Sequence, residues 1–375
     1  MRDYKRVKLG EITRHIGGTP LEKYVDVESD YKFISIGNYT TNGEYIDNGS
    51  RIKYNEKTKE KILSKNDLVM VLNDKTTEGK IIGSTIFINE DNKYIYNQRS
   101  ERIICNNEVN PRFLWHYINS FIFKKEVLKR IQGGTQIYVN YKDIEKIEIN
   151  LPNLKEQNNI VDVLDGIDSI IEKHESLLEE KNQFIKSLFV EMFERGHYPK
   201  DEFINIAKEI YAGGDKPKDI SKVKEGEYLY PVFANGYENE GLQGYSKVYR
   251  TGDSAVTISA RGTIGYSFIR NEKFTPIVRL ITIIPNEKAN VVYLKYAIDN
   301  LNIAGSGTSQ AQLTVPDIKK NKIIIPPIEL QNKFADFVKQ IDKQKFLLEK
   351  QKQNYENLKK ALMQKLLTGK VRVKI

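Results

Sequence analysis

The chain carries one passage twice, and this constrains its fold more than any local motif does. The stretch from Gly133 reads GGTQIYVNYKDIEKIEINLPNLKEQ, and the stretch from Gly307 reads GTSQAQLTVPDIKKNKIIIPPIELQ. At a constant offset of 174 residues, Gln136 meets Gln310, Asp143-Ile144 meets Asp317-Ile318, Pro152 meets Pro326 and Gln157 meets Gln331. Fainter echoes lie upstream. Glu11-Ile12 with Gly17-Gly18 resembles Glu209-Ile210 with Gly213-Gly214, and Phe113-Leu114 resembles Tyr293-Leu294. The repeat therefore covers whole halves, residues 1–195 and 201–375, each long enough to bury a core of its own.

Both halves show the same order of elements. Apolar runs rich in β-branched and aromatic residues, punctuated by Gly, Asn and Asp turns, predict the strands of a curled sheet. They are Tyr31–Ile36, Asp67–Leu72, Ile81–Asn89 and Arg102–Cys105 in the first half. Tyr228–Phe233, Ser254–Ser259, Ile264–Ile269 and Val278–Ile284 answer them in the second. A helix bearing Phe113, Leu114, Tyr117, Ile118 and Phe121 follows the first set, and Val291–Leu301 follows the second. The fold class is α+β with an internal repeat.

Each half then runs into a long helix. From Lys155 a stripe passes through Ile160, Leu164, Ile167, Ile171, His174, Leu178, Lys181, Ile185, Leu188 and Met192, in steps of three and four. From Glu329 a second stripe passes through Phe334, Val338, Ile341, Lys345, Leu348, Lys352, Tyr355, Lys359, Leu362 and Leu366. Pro152 and Pro326-Pro327 mark where strand gives way to helix. Helices of about 40 residues span on the order of 60 Å, more than a small domain can cover. The expectation is that they pair with each other as an antiparallel coiled coil in a pseudo-twofold repeat. His174 reads as a polar seam residue with no catalytic role. The seam lysines read as a solvated edge, or as places where a partner's acidic surface docks.

Composition narrows the chemistry. Lys and Arg number 59 against 50 acids, a net charge of +9 that favours a polyanionic partner without identifying one. Cys105 is the single cysteine, which excludes an internal disulfide and suits a reducing compartment. No apolar run is long enough to span a membrane, so the expected location is cytoplasmic and no membrane partner is expected. No phosphate loop, dinucleotide fingerprint, His-Glu-x-x-His zinc motif, Gly-x-Ser-x-Gly elbow or Asn/Asp-Pro-Pro-Tyr/Phe segment occurs. No catalytic, cofactor-binding or metal-binding residue is assigned.

The passages themselves carry a resemblance. Gly307-Thr308-Ser309-Gln310, Val315-Pro316-Asp317-Ile318, Lys322–Ile325, Pro326-Pro327-Ile328 and Gln331, followed by a long helix, resemble a region of the specificity subunits of type I restriction-modification systems. The first copy matches through Gly133-Gly134-Thr135-Gln136, Asp143-Ile144, Leu151-Pro152-Asn153-Leu154 and Glu156-Gln157, and Val7–Ile12 is similar to the opening of that family's domains. Leu330 departs from the pattern, which often has Glu before the glutamine. The resemblance implies two target recognition domains, residues 1–151 and 201–325, and two long helices, 152–196 and 326–370. Each domain would read one half of a bipartite double-stranded DNA site, with the coiled coil setting the gap; one turn of duplex is roughly 34–36 Å.

The same resemblance implies partners. Methyltransferase subunits would dock on this frame and modify adenine with S-adenosylmethionine, and restriction subunits, where present, would use ATP and Mg. The chain itself would need no cofactor. A self-contained methyltransferase would require the motifs that are missing. A structural coiled-coil adaptor without sequence-specific DNA binding would share the helices but leave the two α+β domains unexplained.

Base reading needs Arg, Lys, Asn or Gln on firmly held turns, whereas phosphate contacts need only charge or a hydroxyl. The first half offers Asn73, Lys75 and Thr76, then Asn97, Gln98 and Arg99, then Tyr138. The second offers Asn235 and Tyr237, Ser259 and Arg261, Lys273 and Thr275, and Gln312. A solvated turn or a local backbone hydrogen bond accounts for any one of them equally well. Gln136 and Gln310 recur in both copies, which suggests a structural junction shared by the domains rather than sequence discrimination, and Pro152 and Pro326 are assigned to the domain junction with them.

Overall fold

A computed structural model of the protein describes residues 4–134, 136–262, 264–301, 303 and 312–373. The chain divides into two compact units, one of residues 1–174 with 351–375 and one of residues 175–350. Each is built on a four-stranded antiparallel sheet. In the first unit the strand order is Thr13–Gly17, Ser100–Cys105, Leu68–Val71, Thr85–Phe87. In the second it is Ala207–Ala212, Ile281–Pro285, Ala255–Ile258, Ser267–Arg270. The same order in both units is the structural form of the repeat.

The central strands are the ones the apolar runs predicted, because they are buried on both faces: Leu68–Val71 and Ala255–Ile258 are buried at every position. The outer strands Thr13–Gly17 and Ala207–Ala212 escaped prediction. Arg14, His15, Lys208 and Glu209 are exposed, so no apolar alternation marks these strands. Two expected strands lie outside the main sheets. Lys32–Ile34 pairs in parallel with Tyr94–Tyr96. Tyr230–Phe233 lies between Leu242–Ser246 and Thr275–Pro276.

The upstream echo also shifts. Gly18 N–H donates to Ser100 O (3.0 Å) and Gly213 N–H to Leu280 O (2.8 Å), so Gly18 corresponds to Gly213. Glu11 belongs to a short helix, Leu9–Ile12, whose counterpart is Phe203–Ile206, whereas Glu209 is in a strand. A bulge between Ala207 and Glu209 accounts for the slip. Phe113-Leu114 and Tyr293-Leu294 do correspond, buried in the helices Pro111–Ile118 and Val291–Asp299.

The long helices are Leu154–Phe189 and Ile328–Leu367, roughly 54 and 60 Å at 1.5 Å per residue. Each of them contributes to both units. In the first unit Ile160 and Leu164 of one helix and Leu366 and Leu367 of the other share a core with Phe113 and Leu114. In the second, Ile185, Phe189 and Phe193 share a core with Phe334, Val338 and Ile341. The globular domains therefore cover the ends of both stripes, more than the sequence suggested. Phe189 and Phe193, one place beyond Leu188 and Met192, are the buried members there.

Within each unit the helices run antiparallel. Lys359 pairs with Asp168, and His174 lies 5.7 Å from Tyr355 between ring centroids. In the second unit Lys181 Nζ donates to Gln344 Oε1 (2.7 Å), and Phe189 packs on Phe334. The seam lysines are thus held by neighbours: Lys345 lies 3.5 Å from Asp342 and Lys352 3.7 Å from Glu356. His174 Nδ1 lies 2.7 Å from the Ile170 carbonyl, a local polar contact in keeping with a seam residue.

The join between helix and domain is made by two buried glutamines. Gln157 accepts from Asn110 N–H (2.8 Å) and donates to the carbonyls of Glu108 (3.0 Å) and Pro152 (2.9 Å). Gln331 accepts from Asn290 N–H (2.8 Å) and donates to the carbonyls of Lys288 (3.0 Å) and Pro326 (2.8 Å). Both are fully buried. Pro152 and Pro326 stand at the junction, each supplying one of those carbonyls. Gln136 does not: it is exposed, beyond a backbone pair between Gln132 and Tyr138. Gln310 lies outside the described residues. The departure at Leu330 has a local cause. Its counterpart Glu156 is buried against Tyr4 (2.9 Å) and Arg372, whereas Leu330 packs beside the apolar core of the second unit.

Replacing Gln157 or Gln331 by Leu strands one backbone donor and two acceptors, and we expect each change to lower unfolding free energy by about 3 kcal/mol in urea titrations. Asn158→Ala, which removes only an exposed hydrogen bond to Asn110 (2.8 Å), is expected to cost less than about 1 kcal/mol. A loss in Gln157→Leu or Gln331→Leu no larger than that in Asn158→Ala would contradict the clamp.

Candidate nucleic-acid interface

Backbone register brings several of the predicted residues to equivalent places in the two units. Val139 N–H donates to Leu72 O (2.9 Å), and Leu313 N–H donates to Ala260 O (2.9 Å). With Gly18 matched to Gly213, Ser100 matched to Leu280 and Leu72 matched to Ala260, three flanking positions correspond. Asn73 stands where Arg261 does, Tyr138 where Gln312 does, and Arg99 where Arg279 does. Asn73 pairs with Tyr138 across a two-residue ladder, and Arg261 Nη2 donates to Gln312 Oε1 (3.2 Å). Arg279 is the one member of this set that sequence reading missed. The slipped glycine echo hid its match to Arg99.

Asn73 and Tyr138 border a cleft in the first unit, and Arg261, Arg279 and Gln312 border one in the second. The cleft of the first unit has a volume of about 700 Å³ and is lined by His15, Asn73, Glu101, Tyr138, Asn140 and Lys142 among others. Glu101 is engaged by His15 Nδ1 at 2.5 Å, and the His15 ring lies 4.3 Å from that of Tyr141. The cleft of the second unit is about 380 Å³ and is lined by Gly213, Ala260, Arg261, Arg279 and Gln312 with apolar neighbours and Thr314; among the described residues no carboxylate lines it.

The remaining predicted residues fall into two groups. Lys75 and Thr76 are exposed on a turn, where Thr76 bonds to Asp74 Oδ1 (2.9 Å). Burial of Asp74 opposes ionisation, but N–H donors from Thr76 and Ile81 hold its carboxyl below the usual range. Gln98 is exposed and donates to Glu22 (3.1 Å), Tyr237 is exposed beside Tyr266 (4.8 Å), and Lys273 is exposed over the Tyr249 ring (4.6 Å).

The others serve the fold. Asn97 is buried, donating to Glu22 (3.0 Å) and accepting from Gln98 N–H. Ser259 is buried and accepts from Gly236 N–H (3.2 Å). Asn235 donates to Val278 O and accepts from Ala260 N–H, both at 2.7 Å. Thr275 donates to Val248 O (3.1 Å). The sequence offered these four as DNA contacts; in this structure their polar atoms meet backbone groups or a neighbouring carboxylate.

The turn that carries Arg279 is strained. Val278 has φ 52° and Arg279 φ 61°, a left-handed conformation that a β-branched residue rarely adopts. Each such residue costs about 1–3 kcal/mol and persists only where the surroundings over-determine it. Here Val278 N–H donates to Gly214 O (2.8 Å), Arg279 N–H to Gly213 O (3.0 Å), and Asn235 holds the Val278 carbonyl. The close approach requires glycine: a Cβ on Gly213 would lie 2.7 Å from Ile277 N, and one on Gly18 would lie 1.9 Å from Asn97 O.

A second polar cluster, unmarked in the sequence, joins domain and helices in the first unit. His116, Asp165 and Asp168 bring ligand atoms within 4.8 Å of one another. Their charges are already met, Asp165 by Arg112 (3.0 Å) and Asp168 by Lys359. Burial holds His116 below the ordinary histidine range despite its bond to Asp165 (2.7 Å). Cys105 packs against the same core, where burial pushes its thiol up to about 12. Among the described residues no helix is long and apolar enough to cross a membrane.

Two units of one fold, each ending its sheet in a cleft bordered by arginine, asparagine or glutamine, define a duplicated recognition protein. The chain belongs to the family of type I restriction modification DNA specificity domains, which matches residues 1–181 and 204–356. It is 28% identical over 238 residues to a putative type I specificity subunit of Mycoplasma pneumoniae, covering 62% of this chain and 64% of that relative. It is 25% identical to the specificity subunit of the type I restriction enzyme MjaVIII of Methanocaldococcus jannaschii, over 99% of this chain and 94% of the relative. Among solved structures, the S subunit of a type I restriction-modification system from M. genitalium shares the fold, with a TM-score of 0.57 at 15% identity, covering 97% of this chain and 96% of the other.

Gly213→Ala is expected to lower unfolding free energy by about 2 kcal/mol, because the added methyl meets backbone that cannot move aside. At Gly214 the nearest atom to a Cβ is the end of the Arg250 side chain at 3.6 Å, so Gly214→Ala should stay within about 0.5 kcal/mol of the parent. Equal effects in chemical denaturation would contradict the close approach.

Proposed function

We propose that this chain is the sequence-specific DNA-recognition subunit of a type I restriction-modification enzyme, each unit reading one half of a bipartite double-stranded target. The observation that carries this reading is the duplication of the cleft. The same three ladder positions hold Asn73, Arg99 and Tyr138 in one unit and Arg261, Arg279 and Gln312 in the other. A fixed backbone with different side chains at its edge is what two readers of different sequences need. The adaptor alternative gains no support from this geometry or from the family match.

The subunit is non-catalytic on this reading. It selects the site, partner methyltransferase subunits methylate adenine at N6 with S-adenosylmethionine, and restriction subunits, if the system has them, use ATP and Mg. The helices offer a place for partners. On the second unit Phe184, Phe337 and Phe346 are 57%, 50% and 64% exposed, large apolar side chains that an isolated helix pair has no use for. The coiled coil sets the gap between half-sites.

Co-expression with the cognate methyltransferase subunit and mapping of modified adenines should yield a split motif with a fixed gap. Exchanging residues 201–326 for the corresponding part of another such protein should change one half-site only. Unmodified DNA, scattered modification, or a change in both halves would contradict the reading.

A further inference from the structure

The fold goes furthest to place Arg279, a residue that no motif marks. The other described arginines of the second unit are engaged. Arg195 pairs with Glu191 (2.5 Å), Arg270 with Glu240 (2.8 Å), and Arg250 lies over the Tyr211 ring (4.4 Å). Among the described residues Arg261 meets the amide of Gln312, and Arg279 is exposed with neither a carboxylate nor a ring against it. Both line one cleft in which no carboxylate occurs among the described residues. Two uncompensated guanidinium groups beside an amide call for a ligand rich in acceptors.

A phosphate would satisfy that charge, but it would not require the turn. Arg279 sits on consecutive left-handed residues, pinned by Gly213, Gly214 and Asn235. A phosphate contact asks only for charge, whereas reading a base edge needs the guanidinium to be presented from a firmly held turn. The edge that matches a guanidinium fork is guanine in the major groove, whose O6 and N7 are adjacent acceptors. We infer that Arg279, with Arg261 beside it, reads a guanine in the half-site taken by the second unit. The assignment rests on the recognition function proposed above and adds the identity of a base and of the residues that select it.

The informative variant is Arg279→Gly. Glycine adopts φ 61° without strain, so the side chain is removed while the turn is kept, and thermal unfolding should confirm a melting temperature no lower than the parent's. The full-length variant and parent, each with the methyltransferase partner, are offered a plasmid library randomised over the target, and modified adenines are mapped. The parent should require guanine at one position of the half-site that follows residues 201–326 in a domain exchange. Arg279→Gly should relax that preference about tenfold or more, leaving the other half-site and the gap unchanged. Arg261→Gln should weaken the same half-site.

A preserved guanine preference in Arg279→Gly, a half-site without guanine, or a uniform fall at all targets, the signature of a phosphate contact, would overturn the assignment. A library left unmodified by the parent would contradict the recognition function itself, and the base assignment with it.

Discussion

The structure depends on a buried amide. Gln157 and Gln331 each hold three backbone groups, one N–H and two carbonyls, from the segment that enters the domain's helix and from the proline that starts the long one. An amide is suited to this because one planar group both accepts and donates. A hydrophobic residue of the same volume would leave the three groups unpaired away from water. The long helix is thereby fixed to its own domain at the first turn, in both copies by the same bonds. The antiparallel pairing then needs only the apolar stripe, which tolerates His174, Lys181 and the lysines of the second helix because their polar ends reach neighbours.

A fixed frame leaves the sheet edge free to vary. The backbone bonds that join Leu72 to Val139 and Ala260 to Leu313 are the same in the two units, yet the side chains beside them differ in charge and shape. The first cleft holds Glu101, engaged by His15, and Asp143, paired with Lys146, whereas the second holds two arginines and, among the described residues, no acid. The glycines at the foot of the sheet, Gly18 and Gly213, let the neighbouring loop come within a distance that any Cβ would prevent. In the second unit that loop stores backbone strain at Val278 and Arg279, which the hydrogen bonds with Gly213, Gly214 and Asn235 hold in place.

Much of this was legible in the sequence where the physics is local and repeated. The 174-residue offset, the junction prolines and both helical stripes follow from spacing alone, and the central strands follow from continuous apolar runs buried on two faces. The outer strands were not legible, because Thr13–Gly17 and Ala207–Ala212 carry charged and exposed residues. A bulge at Ala207 shifted the glycine echo by one place, and that slip concealed the match between Arg99 and Arg279. Asn97 and Ser259 have the composition of reading residues but are buried, and the half-buried Asn235 bonds to backbone of two neighbouring loops, facts set by tertiary packing. Gln157 and Gln331 were visible as a matched pair, while their role depended on where the loops before Asn110 and Asn290 come to rest.

The central claim is that equivalent ladder ends in the two units face the two halves of one DNA target. It is tested most directly by placing a photo-crosslinking amino acid at Tyr138 and, separately, at Gln312 of the full-length protein bound with its methyltransferase to a defined target duplex. Crosslinks from Tyr138 should map to bases of one half-site and those from Gln312 to bases of the other. Crosslinks from both positions to the same half-site, or to neither, would contradict the account.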